Sequence, residues 1–238
     1  MNKARWVLFR FKFITVILLC TLFPLLMAAK PPIQVAKNVP PFLIDDFEDG
    51  NISETPKWWG FGELLIMFED NDPKTFDGLG KKSLSFLGKT DHWLVGGIGT
   101  YLGLDGTQYN ALKLIIKGSG EKSGNLTIEL YDDDNGNWKV DVDPSNPGFP
   151  NYDDKFVYNL PITWKGWRTL IIPIARFRDD NPTAGDNIWN PDQKNGSGGL
   201  LQIQLLAFSS TQKGSIDFQI DSIKLFKAAD PNTLLYYP

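Results

Sequence analysis

Cysteine and histidine are almost missing from this chain: Cys20 and His92 are the only residues of their kinds among 238. One cysteine excludes a disulfide within the chain. One histidine excludes a Cys/His zinc cluster and a two-histidine metal site. Any Ser-His-Asp triad would have to use His92. The sequence also lacks GxSxG, a Walker-type loop and a GxGxxG opening a helix. There is no excess of positive charge. A net charge of −4 argues against a phosphate-binding surface, so no nucleic-acid partner is expected and neutral partners stay open. Helical period is scarce as well: beyond the N-terminus no segment of about 10–12 residues pairs an apolar 3.6 repeat with caps.

Aromatics, glycine and proline are plentiful: eight Trp, seven Tyr, sixteen Phe, 22 Gly and 16 Pro. That composition suits short strands joined by turns. The N-terminus carries Lys3, Arg5, Arg10 and Lys12, then an apolar run from Phe13 to Ala29 closed by Ala28-Ala29. This is the layout of a secretory signal over residues 1–29, implying a secreted, periplasmic or cell-surface protein. The run sits at the short limit of about 17 residues for a membrane span, so an uncleaved anchor is the second reading and the only membrane contact expected. Residues 30–41, with Pro31, Pro32, Pro40 and Pro41, read as an extended linker.

From residue 42 onward, alternation predicts eleven strands near 42–48, 63–68, 82–87, 92–101, 111–117, 125–132, 137–142, 155–160, 166–174, 200–208 and 215–226. Leu112, Leu114 and Ile116 oppose Lys113 and Lys117; Leu126, Ile128 and Leu130 oppose Glu129 and Tyr131. Asn135-Gly136 signals a hairpin. The expected fold is all-β: a single antiparallel β-sandwich over residues 42–227, followed by a tail over 228–238. The longest irregular stretch, 176–199, has a length that is often functional.

"LIDDFEDG" (43–50) raises an electrostatic question, because four carboxylates crowd a strand whose other residues are apolar. The last strand, "GSIDFQIDSIKLF", slips phase after Ile220, which marks a β-bulge at Asp221. If first and last strands pair, their acids converge. Hard oxygen ligands favour calcium, so a structural Ca²⁺ held by Asp46 or Glu48 and Asp221, with backbone carbonyls and water, is expected. The plainer alternative is a solvated edge whose charges discourage pairing. "YDDDNGNWKVDVD" looks like a calcium loop, but aligning Gly136 with the EF-hand glycine puts Tyr131 at the first ligand position. It reads as an acidic hairpin, with a second calcium as the alternative.

"DFEDG", "YNALKLIIKGSG", "GWRTLIIPIARF" and "GSIDFQIDSIKL", in that order, resemble family 11 carbohydrate-binding modules and the related complex I intermediate-associated proteins, over roughly residues 42–227. Both are galactose-binding-like β-sandwiches, or jelly rolls. The resemblance implies two antiparallel sheets, a structural calcium tying first strand to last, and a concave sheet face that receives a glycan chain. Alternation puts Tyr131 and Glu129 on the face opposite the core, and Gln202 and Gln204 likewise. Aromatic rings stack on sugar faces and planar polar groups bond hydroxyls, so these four are the candidate glycan site, with Trp93 at the face or rim. The family's arginine on the Tyr131 strand is absent here. Trp58-Trp59 reads as a loop pair that packs or covers one end of the groove, and Trp138, Trp164 and Trp167 read as structural.

Three functions follow. The first is a secreted, non-catalytic module that binds a polysaccharide. The second is an assembly protein with a protein partner, which an exposed apolar patch on the concave face would favour. The third is a jelly-roll glycoside hydrolase or lyase. A hydrolase needs two carboxylates about 5–9.5 Å apart in a cleft, and no strand face carries an ExDxE-like set.

Overall fold

Alternating apolar residues set the sheets. The computed structural model describes residues 39–229 and 235–237, so the expected leader (1–29) and most of the linker lie outside the described residues. The strands are β1 (Phe42–Asp45), β2 (Trp58–Gly62), β3 (Leu65–Asp70), β4 (Lys82–Thr90), β5 (Leu94–Leu104), β6 (Ala111–Ser119), β7 (Asn125–Asp132), β8 (Val142–Asp143), β9 (Asn146–Pro150), β10 (Asp154–Pro161), β11 (Lys165–Pro173), β12 (Arg178–Asp179), β13 (Leu200–Phe208), β14 (Gly214–Phe226) and β15 (Leu235–Tyr237). A seven-stranded antiparallel sheet runs β15-β11-β6-β14-β4-β3, with β1 also on β14. A six-stranded one runs β12-β10-β7-β13-β5-β2, and β8-β9 is a separate ribbon. The molecule is thus the all-β sandwich expected.

Leu112, Leu114 and Ile116 of β6 meet Leu126, Ile128 and Leu130 of β7 in one core cluster that also holds Ile203, Leu205, Phe86 and Phe218. Each such side chain contributes about 1.5–3 kcal/mol by leaving water. Phe86 and Phe218 stack at 4.9 Å between centroids, on neighbouring strands β4 and β14. The register of β14 against β6 slips between Ile220 and Ile223, so the bulge falls at Asp221 as the phase change predicts.

Several local expectations are corrected. Asn135-Gly136 does not close a hairpin: β7 pairs with β10 and β13, and 137–140 form no strand. The reason is Asp133. Its carboxylate accepts the N–H of Gly136 (2.9 Å), Trp138 (3.1 Å) and Gly198 (2.6 Å), gathering the segment into a loop. Trp58-Trp59 is not in a loop but opens β2. Trp58 is buried and Trp59 faces out, because the run alternates like any edge strand. The two-residue β12 and the short β9 have too few residues for a period to show. Within the tail, β15 pairs with β11.

Candidate functional site

The outer face of the six-stranded sheet carries the predicted site residues. Registers place Lys155, Tyr131, Gln202 and Tyr101 in one cross-strand row. The next row is Val157, Glu129, Gln204, Gly99 and Trp59, and the one beyond is Asn159, Thr127, Leu206, Gly97 and Phe61. Residues directly opposite one another across antiparallel strands share a face. Glu129, Tyr131, Gln202 and Gln204 are therefore together, on the side the alternation assigned them.

The face has two unlike halves. On the β10–β7 side it is covered. Tyr131 is only 4% exposed, although it points away from the core. Its hydroxyl donates to Glu129 Oε2 at 2.6 Å. Lys155 Nζ lies 3.7 Å from Glu129 Oε1 and 3.0 Å from Asp180 Oδ2, and donates to the Gly148 carbonyl at 3.0 Å. It also sits 3.9 Å from the centroid of the Phe149 ring, so β9 lies over this end. Burial pushes the Glu129 carboxyl up, opposed by the Tyr131 hydrogen bond and the Lys155 charge. Burial, then the Glu129 charge, push the Tyr131 phenol far above its ordinary value, so it stays a hydrogen-bond donor. Tyr131 is accordingly not a free stacking ring.

On the β5–β2 side the face is open and aromatic. A Cβ added at Gly99 would lie 2.5 Å from Trp59 Cζ2, and one at Gly97 would lie 2.6 Å from Phe61 Cζ. The two rings thus occupy the space above glycine backbone where side chains would otherwise stand, which lays them along the sheet. Trp59 is 39% exposed and Tyr101, in the row of Gln202, is 47% exposed. The alternating glycines of "GGIGTY" (96–101) were the available sequence signal for this platform. Their meaning shows only once β2 places Trp59 and Phe61 beside them. Trp93, 50% exposed, is not beside the Tyr131 row. It precedes Leu94, which pairs with Phe208 at the opposite end of β5 from Tyr101.

The strand-end acids do meet. β1 pairs with β14, and Asp45 is opposite Ile223. Asp45 is answered by protein groups: its carboxylate accepts Phe47 N and Trp58 Nε1, each at 2.7 Å. Buried Asp221 accepts from Gly80 N at 2.9 Å, and Glu48 Oε1 accepts from Lys82 N at 2.9 Å. A Cβ at Gly80 would collide with Glu48 Oε1 and press on Asp221 Oδ2, so both carboxylates close on that glycine. Burial, then the charges of Glu48 and Asp46, push Asp221 up to about 6, while the Gly80 bond and Lys224 oppose the shift. Two carboxylates, those of Glu48 and Asp221, thus meet at Gly80, and their hard oxygens are the donor type that calcium takes.

No family model matches the chain, and no curated protein matches it. Solved structures do align. The family 11 carbohydrate-binding module from Clostridium thermocellum, in complex with a β-1,3-1,4-mixed-linked tetrasaccharide, is 18% identical. The alignment covers 79% of this chain and 96% of that one, with a TM-score of 0.47. The xylan-binding CBM22-1 domain of Paenibacillus barcinonensis Xyn10C is 16% identical over 77% of this chain and 93% of its own, at 0.41. The TmCBM61 structure in complex with β-1,4-galactotriose is 14% identical over 76% and 94%, at 0.43. Likeness this loose carries no inference about what this chain binds, which rests on its own residues.

Proposed function

We propose that the open half of the six-stranded sheet's outer face binds a polysaccharide chain without catalysis. Trp59, Phe61 and Tyr101 stack on sugar rings and half-buried Gln204 bonds hydroxyls, while buried Gln202 stands at the edge of the covered half. Tyr131, Glu129 and Lys155 form a rigid polar wall beside the platform. The observation that carries this reading is the pair of aromatic rings laid over Gly97 and Gly99 next to the glutamine rows. A non-catalytic role is supported by the acids beside this face: Glu129 and Asp180 are both tied to Lys155, so neither stands free as an acid–base pair. Export through residues 1–29 to a secreted, periplasmic or cell-surface location belongs to the same proposal. So does a structural calcium on Asp46, Glu48 and Asp221 that fastens β1 to β14.

One observation favours a second reading. Phe61, Leu206, Phe208 and Leu94 line the same face as an apolar strip, which would suit a protein partner. A screen of the protein against arrayed polysaccharides in calcium buffer separates the two. Saturable binding that is lost in Trp59→Ala, with the fold intact by circular dichroism, is expected. Absence of binding to every polysaccharide, or binding indifferent to Trp59→Ala, would refute the glycan reading and turn attention to the strip. The calcium is checked separately: a chelator should lower the melting temperature, and Glu48→Gln should weaken that response.

A further inference from the structure

A second group of acids lies at the end of the sandwich, away from the β1–β14 junction. Asp132 closes β7 and Asp154 opens β10, and the two are direct cross-strand partners. Their neighbours Tyr131 and Lys155 point to the outer face, so Asp132 and Asp154 point inward, at the mouth of the core. Asp134 follows in the loop after β7, and Asp186 arrives from the irregular segment after β12. Carboxylate oxygens of Asp134, Asp154 and Asp186 lie within 4.8 Å of one another. Two oxygens on opposite sides of a calcium ion, each about 2.4 Å from it, are about 4.8 Å apart, so this spacing accommodates one ion.

The hydrogen bonding around the group is half complete in a consistent way. Asp132 Oδ2 accepts from Asn190 N at 2.8 Å, Asp154 Oδ2 from Ile188 N at 3.1 Å, Asp134 Oδ2 from Asp154 N at 2.9 Å and Asp186 Oδ1 from Ile188 N at 2.8 Å. These bonds fix the carboxylates in place. The other oxygens of Asp132 and Asp154 are then left bare: Asp132 Oδ1 and Asp154 Oδ1 have no partner, although the residues are 1% and 0% exposed. Asp154 Oδ1 and Asp134 Oδ2 both crowd the place where a Cβ of Gly185 would stand, so the bare oxygen is aimed into the group and the loop closes over it through a glycine. Among the described residues no lysine or arginine pairs with any of the four. Burial and mutual repulsion push Asp132 up to about 8 and Asp154 up to about 7. A buried charge without a counter-charge is costly, and the backbone N–H groups of Asn190 and Ile188 offset it only in part.

We infer that Asp132, Asp134, Asp154 and Asp186 form a calcium site that fastens the 180–190 segment across the ends of β7 and β10. The donors are all hard oxygens, which favours Ca²⁺ over a transition metal. Loop-borne carboxylates suit its flexible coordination better than the strict octahedron of Mg²⁺. The same segment contributes Asp180 to Lys155, so the ion also steadies the covered half of the outer face.

The test is a calcium titration of the chelator-treated full chain by equilibrium dialysis, comparing the wild type with Asp186→Asn. Asp186 is exposed, so its replacement leaves the core intact. Glu48→Gln serves as the control for the β1–β14 acids. We expect Asp186→Asn to lose one bound ion per chain, or to hold it at least tenfold more weakly, while Glu48→Gln keeps that ion. We also expect Asp186→Asn to melt no lower than the wild type in chelator, because one repelling charge has gone, yet to gain less from added calcium. Unchanged stoichiometry and affinity in Asp186→Asn would overturn the site. So would equal destabilisation with and without calcium, which is what a mere hydrogen-bond acceptor for Ile188 would give.

Discussion

Lys155 is the cation on which the covered half of the outer face depends, and its removal should be costly in a measurable pattern. Its side chain is 4% exposed and sits between Glu129, whose side chain is 10% exposed, and Asp180, at 33%. Lys155→Met keeps most of the side chain's volume but removes the charge, stranding Glu129 with only the Tyr131 hydroxyl. Stranding one member of a buried pair costs about 3–5 kcal/mol. Asp180 can turn to water, so the lower part of that range applies, about 3 kcal/mol. For a domain of this size each kcal/mol moves the melting temperature by about 2–4 °C, so a drop of about 6–12 °C is expected. Glu129→Gln should cost less, about 1 kcal/mol, because Lys155 keeps Asp180 and the Tyr131 hydroxyl keeps an acceptor. The double variant should lose less than the sum of the two. The pH dependence has a definite sign. Burial already raises the Glu129 carboxyl above its ordinary 4.5, and loss of Lys155 raises it further. Protonation removes the stranded charge, so the gap between wild type and Lys155→Met narrows as the pH falls through the raised value towards 4.5. Urea denaturation of the four proteins at neutral and mildly acidic pH measures all of this. A Lys155→Met cost below about 1 kcal/mol at neutral pH, or a gap that widens on acidification, would refute the buried-pair argument.

Other positions give independent checks. Gly99→Ala should disturb the Trp59 ring, since its Cβ would stand 2.5 Å from Cζ2. Polysaccharide binding should fall at least tenfold while the melting temperature changes little, as seen by affinity electrophoresis and a thermal melt. Trp58→Phe removes the indole N–H that Asp45 accepts at 2.7 Å. It should destabilise by about 1.5–3 kcal/mol in chemical denaturation, the range for a hydrogen bond to a charged group. Asp133→Ala takes the acceptor from four backbone N–H groups, those of Gly136, Asn137, Trp138 and Gly198, so limited proteolysis should cut first between 133 and 141.

The site was only partly legible in the sequence. Strict alternation in 125–132 and 200–208 placed Glu129, Tyr131, Gln202 and Gln204 on one face, because period two leaves no other choice once the core side is known. It could not show that Lys155 and β9 bury Tyr131, since that covering comes from a ribbon whose short strands carry no period. Nor could it show Trp59 as part of a platform, because the glycines that admit its ring belong to β5, some forty positions on. Asn135-Gly136 misled for a related reason: the local turn preference lost to Asp133, whose partners include Gly198, remote in sequence.

By itself the sequence determined the sandwich, the inward-facing residues of its longer strands and the bulge at Asp221. Apolar periodicity and turn chemistry are local, and they act through the burial that drives folding. Only the tertiary structure decided which acids are neighbours and which aromatic rings are open. Asp132 and Asp154 look like two ordinary acids 22 positions apart until β7 pairs with β10. Trp59 is one tryptophan of eight until β2 lays it beside Gly99. Charge repulsion, hydrogen-bond satisfaction and ring stacking fall off over a few ångströms. They are therefore set by strand register, which a linear sequence constrains but does not display.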